Sequence, residues 1–279
     1  MAETKKRKVP ENRKVVSAST GEDITASDKK SKAALPAATT PEDQKKAKGL
    51  RITAVLLWIV GIALEVLAFF LLIDYFHLPN TIYFAIAALV VDLIAVVIGS
   101  LLWKRANRLD PASKKNPVKF WLWNNMGLFA SLIAFLPFII VVLMNKELDV
   151  KSKRLAAIVA VVALLISGAT GIDWNPVSAE DKIASQLSAD GLGNGEVYWS
   201  RFGKKYHFYS DCSSLSRSEE LTRGTVNEAF AAGRDSLCKI CEKRCQDEGH
   251  LVTGDDVAND NLPDDIPDEL PDELPEEAA

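Results

Sequence analysis

Four long apolar runs, at 52–73, 82–103, 120–144 and 155–172, constrain this chain more than any other feature. A bilayer core of about 30 Å is crossed by about 20 apolar residues in a helix. Each run meets or approaches that length, and soluble core helices are seldom apolar on every face. The expected fold is an α-helical membrane protein with four transmembrane helices between 51 and 172. DYFHLPNT joins the first two runs, and Pro79 breaks the chain there, so these two should form an antiparallel hairpin. The first apolar run begins only at Ile52, so no cleavable secretory signal is expected.

Lys and Arg in short loops set orientation. The leading segment is basic up to Arg51, and the loop after the second run carries Lys104, Arg105, Arg108, Lys114, Lys115 and Lys119. Both belong on the inner, cytoplasmic side. Four simple spans satisfy both and put the C-terminal region inside, but they leave Lys146, Lys151, Lys153 and Arg154 outside. A re-entrant third segment, turning around Asn124, Asn125 or Pro137, would instead put every basic loop inside and the C-terminal region outside. Backbone unpaired at membrane depth must be shielded by protein, so four spans are the simpler reading. The side of the C-terminal region stays open.

The average composition, 48% hydrophobic with a formal charge of −4, hides a sharp segregation. Residues 1–50 are polar and basic, and they are expected to form a disordered tail. The run KKRK at 5–8 reads as part of a solvated cytoplasmic tail near anionic lipid. Residues 173–195 read as a linker with a short helix, and 196–250 as a small α+β module. Residues 251–279 end in the repeat LPDD, IPDE, LPDE, LPEE. Regular prolines and unopposed acidic charge predict a second disordered tail.

Two carboxylates interrupt the apolar runs, Glu65 in the first and Asp92 in the second. A charge at mid-bilayer costs about 2.5–3.5 kcal/mol on insertion scales. The pair reads either as a proton or cation path or as neutral carboxyls that hold two helices together by hydrogen bonds. A small transporter or ion-handling protein is thus an alternative function. No intramembrane Lys or Arg and no internal repeat accompany the pair.

Chemistry concentrates in the C-terminal module. Ser178 can cap a helix that ends by Gly191–Gly195, EVYWSRFGKKYHFY reads as a β-hairpin turning at Gly203, and Thr225 with Glu228 forms a capping box. All four cysteines lie in two pieces, KKYHFYSDCSSL and SLCKICEKRC. C-x2-C at Cys238 and Cys241 lets a tight turn aim two thiolates at one ion. His207 and Cys212 complete a set of one nitrogen and three sulfurs, a usual closed zinc site. Cys245, four residues after Cys241, is an alternative ligand, and as a free thiol it is the basis of a third reading as a redox protein. Disulfides are the remaining option, since four cysteines allow three pairings.

GKKYHFYSDCSSL followed by TVNEAFAAGRDSLCKIC resembles a small module found in bacterial membrane-anchored and secreted proteins. Its pattern is related to the N-terminal metal-binding domain of the Ada DNA-repair methyltransferase. The resemblance covers 197–241. It implies a small α+β fold and metal ligands at His207, Cys212, Cys238 and Cys241. The chain departs from Ada at the first ligand, a methyl-accepting cysteine there and His207 here, and the first two ligands stand one residue further apart. Imidazole cannot serve as that thiolate acceptor, so methyl transfer is not implied.

No Ser-His-Asp grouping, phosphate-cradling glycine loop or H-E-x-x-H is present, so enzymatic activity is not expected. The aromatics Tyr198, Trp199, Phe202, Tyr206, Phe208 and Tyr209 read as the core of a small domain, and nucleic acid is not favoured as a partner. The expected protein is a multi-pass membrane protein in a lipid bilayer. It displays a structural zinc module, and a protein partner would meet that module or the acidic tail.

Overall fold

The computed structural model describes residues 14–19, 21, 38–73, 81–146, 148–193 and 195–259. The KKRK run and the Pro-acidic repeat lie outside the described residues. The chain divides into two compact units, one comprising Lys45–Asn107 and Asn116–Pro176, the other Met1–Gln44, Arg108–Lys115 and Val177–Ala279.

The first unit is helical. Four of its helices are long and apolar enough to cross a membrane: α1 (Pro41–Leu72), α2 (Thr81–Leu109), α4 (Met126–Met144) and α5 (Val150–Gly171). Only 28–44% of their apolar stretches is buried within the protein. Ile59, Ile94, Ile133, Ile158 and Leu165 stand exposed, which suits a surface meeting lipid rather than water. The third run differs from expectation at its start. A short α3 (Pro117–Asn124) precedes α4, and Asn125 separates them. The reason is local. Asn124 and Asn125 turn their side-chain amides back onto the carbonyls of Phe120 and Trp121, which ends α3. Beyond that break α4 runs through Pro137 to Met144 without interruption.

Small residues set the helix contacts, as packing without a hydrophobic driving force requires. On α5 the buried face reads Ala156, Ala157, Ala160, Ala163, Ser167, Gly168 and Gly171. A Cβ on Gly171 would stand 2.5 Å from the Gly127 carbonyl carbon of α4, so the two backbones touch there. Between α1 and α2, Gly99 meets Trp58 and Gly61 meets Asp92. Trp58, Trp103 and Trp123 form a chain of rings with centroids 5.4 and 5.1 Å apart. The Arg51 guanidinium lies 5.1 Å from the Trp123 ring. Lys104 donates to the Thr170 and Ile172 carbonyls at the end of α5, a cation at the negative end of a helix dipole.

The second unit holds α6 (Ala179–Gly191), β2 (Val197–Ser200), β3 (Lys205–Tyr206), β4 (Glu220–Gly224), α7 (Val226–Ala231), β5 (Ser236–Leu237), α8 (Lys239–Asp247) and α9 (Gly254–Ala258). Capping boxes start α6 at Ser178–Asp181 and α7 at Thr225–Glu228, and Gly233 at φ 77° follows α7. Two expected tails contribute structure instead. Residues 14–17 form β1 (Lys14–Ser17), which pairs in parallel with β4 and puts Val16 opposite Thr222. Residues 41–50 are the first turns of α1. At the other end, Thr253 and Asp256 cap α9, and its Val257 packs with Val252 on Ile183 and Leu187 of α6. The expected linker is thus part of a core, because α6 carries an apolar face that β-module residues alone would leave wet.

The predicted hairpin is reduced to a single antiparallel bridge, Tyr198 to His207. β2 pairs with β4 and β3 leaves for β5, since the Tyr206 carbonyl accepts from the Cys238 amide at 3.0 Å. Trp199, Tyr206 and Phe208 are buried with Leu215, Leu221 and Phe230. Tyr198 and Tyr209 are half-buried against this core, and Phe202 at the turn is exposed.

The connector Arg108–Lys115 belongs to this same unit. Ala179 donates its amide to the Ala112 carbonyl. The buried Glu180 carboxylate accepts from the Ser113 hydroxyl and the Lys114 amide. Lys114 pairs with Asp181 at 2.8 Å, and Arg108 with Asp235 at 2.5 Å.

Candidate metal centre

Four side chains from the two cysteine-bearing pieces converge. One ligand atom from each of His207, Cys212, Cys238 and Cys241 lies within 4.8 Å of all the others, and all four residues are buried. The elements explain the convergence. Parallel pairing of β3 with β5 sets Tyr206 against Leu237, so the next residues along each strand, His207 and Cys238, leave side by side. Cys238 is the N-cap of α8 and Cys241 lies in its first turn. Cys212 is the N-cap of a turn of 3-10 helix, Ser213–Leu215. The α8 N-terminus presents backbone N–H groups and a positive dipole end, which favour thiolate.

The spacings decide what the cluster can hold. Cys212 Sγ stands 4.0 Å from Cys238 Sγ, and Cys241 Sγ stands 3.6 Å from His207 Nδ1. A disulfide would need about 2.05 Å, and all four thiols are free. A tetrahedron with metal–sulfur bonds of about 2.3 Å and metal–nitrogen bonds of about 2.05 Å has S···S edges of about 3.8 Å and S···N edges of about 3.6 Å. The group therefore could hold a metal ion with three sulfurs and one imidazole nitrogen. The protons of the four side chains are shared unequally. The Cys241 thiol donates to Cys212 and holds it well below the usual thiol range, against the desolvation of burial. His207 and the Ser214 amide add to that lowering. Cys241, as the donor, is pushed up.

Cys245, the alternative ligand, lies outside the group of four. It is fully buried in the module core. Burial, with the Glu248 carboxylate adding to it, pushes its thiol up to about 11. A reactive thiol needs the opposite shift, so its surroundings suit packing rather than redox chemistry.

Sequence reading missed the supports of the cluster. Ser214 places its hydroxyl 3.6 Å from Cys238 Sγ. Arg244 of α8 stacks on Tyr209 with its guanidinium 3.9 Å from the ring centroid, and it bonds Asp211 at 2.9 Å. Tyr209 in turn donates to Glu248. This brace ties the loop leading to Cys212 to the helix that carries Cys241. Nothing local signals it, since Asp211 and Arg244 are 33 residues apart.

Glu65 and Asp92 are both buried in the helical unit, away from the cluster in the chain and in kind. Comparison with known proteins finds no matching protein-family model, no matching curated protein and no matching solved structure.

Proposed function

We propose that this chain is a multi-pass membrane protein of the bacterial cell membrane that carries a structural zinc centre in its C-terminal module and uses that module to bind or assemble with a protein partner. The observation that carries this reading is the buried set His207, Cys212, Cys238 and Cys241 at tetrahedral spacing. Three sulfurs and one imidazole are a usual donor set for zinc, and four protein ligands leave no open position for water or substrate. A structural role follows from that closure, and an enzyme reading does not. The resemblance to the Ada-related module points to the same four residues. A small module gains a large share of its folding free energy from such an ion. Its exposed Phe202, with the Arg201 guanidinium 5.5 Å from the ring, offers a contact for a partner.

Metal analysis of the full chain purified in detergent tests this. The expected result is one zinc per chain, lost in His207→Ala and retained in Cys245→Ala. Metal-free protein with reduced thiols would refute the centre. Loss in Cys245→Ala with retention in His207→Ala would move the ligand set to the four cysteines.

Orientation belongs to the same proposal. The N-terminus and the module both lie on the cytoplasmic side. Two contacts support this. β1, ahead of α1, pairs with β4 of the module, and the connector after α2 is clasped by α6.

A further inference from the structure

The zinc reading leaves one pair of buried groups unused. Glu65 and Asp92 are the only acidic or basic residues within the first two apolar runs. They are 6% and 0% exposed. Asp92 Oδ1 occupies the space that a Cβ on Gly61 would fill, 2.5 Å from that position. Gly61 thus makes room for the Asp92 carboxyl against α1. Glu65 is four residues on, on the same face and about 6 Å along the axis. Side chains on a helix lean toward its N-terminus, so Glu65 leans toward the level at which Asp92 enters.

Three oxygens, both of Asp92 and Oε1 of Glu65, have no hydrogen-bond partner among the described residues. Four hydroxyls within the helices of this unit are spent elsewhere. Ser100 donates to Val96, Ser131 to Gly127, Ser167 to Ala163 and Thr170 to Ile166, each to a carbonyl of its own helix. α4 carries no acidic or basic residue, and neither does α5 beyond Arg154. Among the described residues neither donor nor counter-charge reaches the pair, and two bare carboxylates there would be costly. A metal cation would need about six oxygen ligands, whereas helical carbonyls nearby are already bonded within their helices. A proton needs one oxygen and lets one carboxyl donate to the other.

The geometry points to an exchangeable proton-binding site formed by Glu65 and Asp92 across the α1–α2 contact. The site is independent of the zinc centre.

The test is labelling of the full chain in liposomes with dicyclohexylcarbodiimide, an apolar reagent that adds to a protonated carboxyl. Adducts are mapped by mass spectrometry, with the double variant Glu65→Gln, Asp92→Asn as the blank. The expected result is an adduct on Glu65 or Asp92 at acid pH, indifferent to sodium chloride. It should fall about tenfold per pH unit once the site titrates. No adduct at any pH would overturn the proposal. An adduct of equal yield at every pH would also overturn it, by making the pair a permanent structural hydrogen bond. Suppression by sodium at constant pH would replace the proton with a metal cation.

Discussion

Lys182 lies fully buried in α6, where its ammonium donates to the Leu109 carbonyl at 3.0 Å and sits 5.3 Å from the Phe230 ring centroid. Burial pushes its pKa down to about 8, against the opposing pull of Asp43 and Asp110. The sign of the consequence follows from proton counting. An unfolded lysine titrates near 10.4, so between about 8 and 10.4 the unfolded chain holds more proton than the folded one. Stability therefore rises with pH across that window, and it is lost as pH falls through the folded pKa. The full difference is on the order of 3 kcal/mol. In urea pulse proteolysis of the full chain, the wild type should gain stability between pH 7.5 and 10 relative to Lys182→Met. A wild type and variant with the same slope would show that Lys182 titrates normally. In the sequence Lys182 is one more charge on a short helix, and nothing marks it as buried. The buried group of His207, Cys212, Cys238 and Cys241 was legible because cysteine and histidine at fixed spacings have few other uses. Lysine has many.

The same contrast holds at the scale of elements. The four apolar helices were legible from length and uniform hydropathy, and the break at Asn125 was foreshadowed only by the asparagine pair. β1 was not legible. Its four residues, Lys14–Ser17, sit in a polar basic stretch, and their place depends on an edge of β4 about two hundred residues away. α9 was hidden in the same way, because its partner surface on α6 belongs to the supposed linker. What no local pattern could give is which glycines touch backbone. Gly168 and Gly171 lie on one face of α5, and their environments differ. A Cβ at 168 would meet only Leu128 Cδ1, at 3.5 Å, an ordinary contact. At 171 it would meet the Gly127 and Leu128 backbone at 2.5–2.7 Å, which cannot move without parting α4 from α5. Overpacking of this kind costs about 1–3 kcal/mol. Gly171→Ala should destabilise the detergent-solubilised chain to denaturation by sodium dodecyl sulfate by that order, and Gly168→Ala should not. Equal effects of the two would mean that α4 and α5 do not approach closely at Gly171.

At the scale of the whole molecule, chain order turns local contacts into a statement about sides. β1 precedes α1, the connector Arg108–Lys115 lies between α2 and α3, and the module follows α5. The β1–β4 pairing and the clasp of α6 on the connector require all three on one side. In the proposed four-span topology two helices long enough to cross, α1 and α2, separate the first from the second, and two more, α4 and α5, separate the second from the third. Only an even number of crossings in each pair allows this, and four spans supply it. In the orientation proposed above, the basic residues of the leading segment and connector put that side in the cytoplasm. The proposed orientation leaves Lys146, Lys151, Lys153 and Arg154 on the far side, and rests on the usual dominance of the first helix. A reducing cytoplasm, as proposed, would keep Cys212, Cys238 and Cys241 from forming disulfides and available to a metal. Reporter fusions at Leu148 and Asp190 read this directly. A periplasm-active alkaline phosphatase should work at 148 and fail at 190, and a cytoplasm-active fluorescent protein should do the reverse. Activity of the phosphatase at 190 would place the cysteines in an oxidising compartment and undo both the four-span topology and the pairing of β1 with the module on one chain.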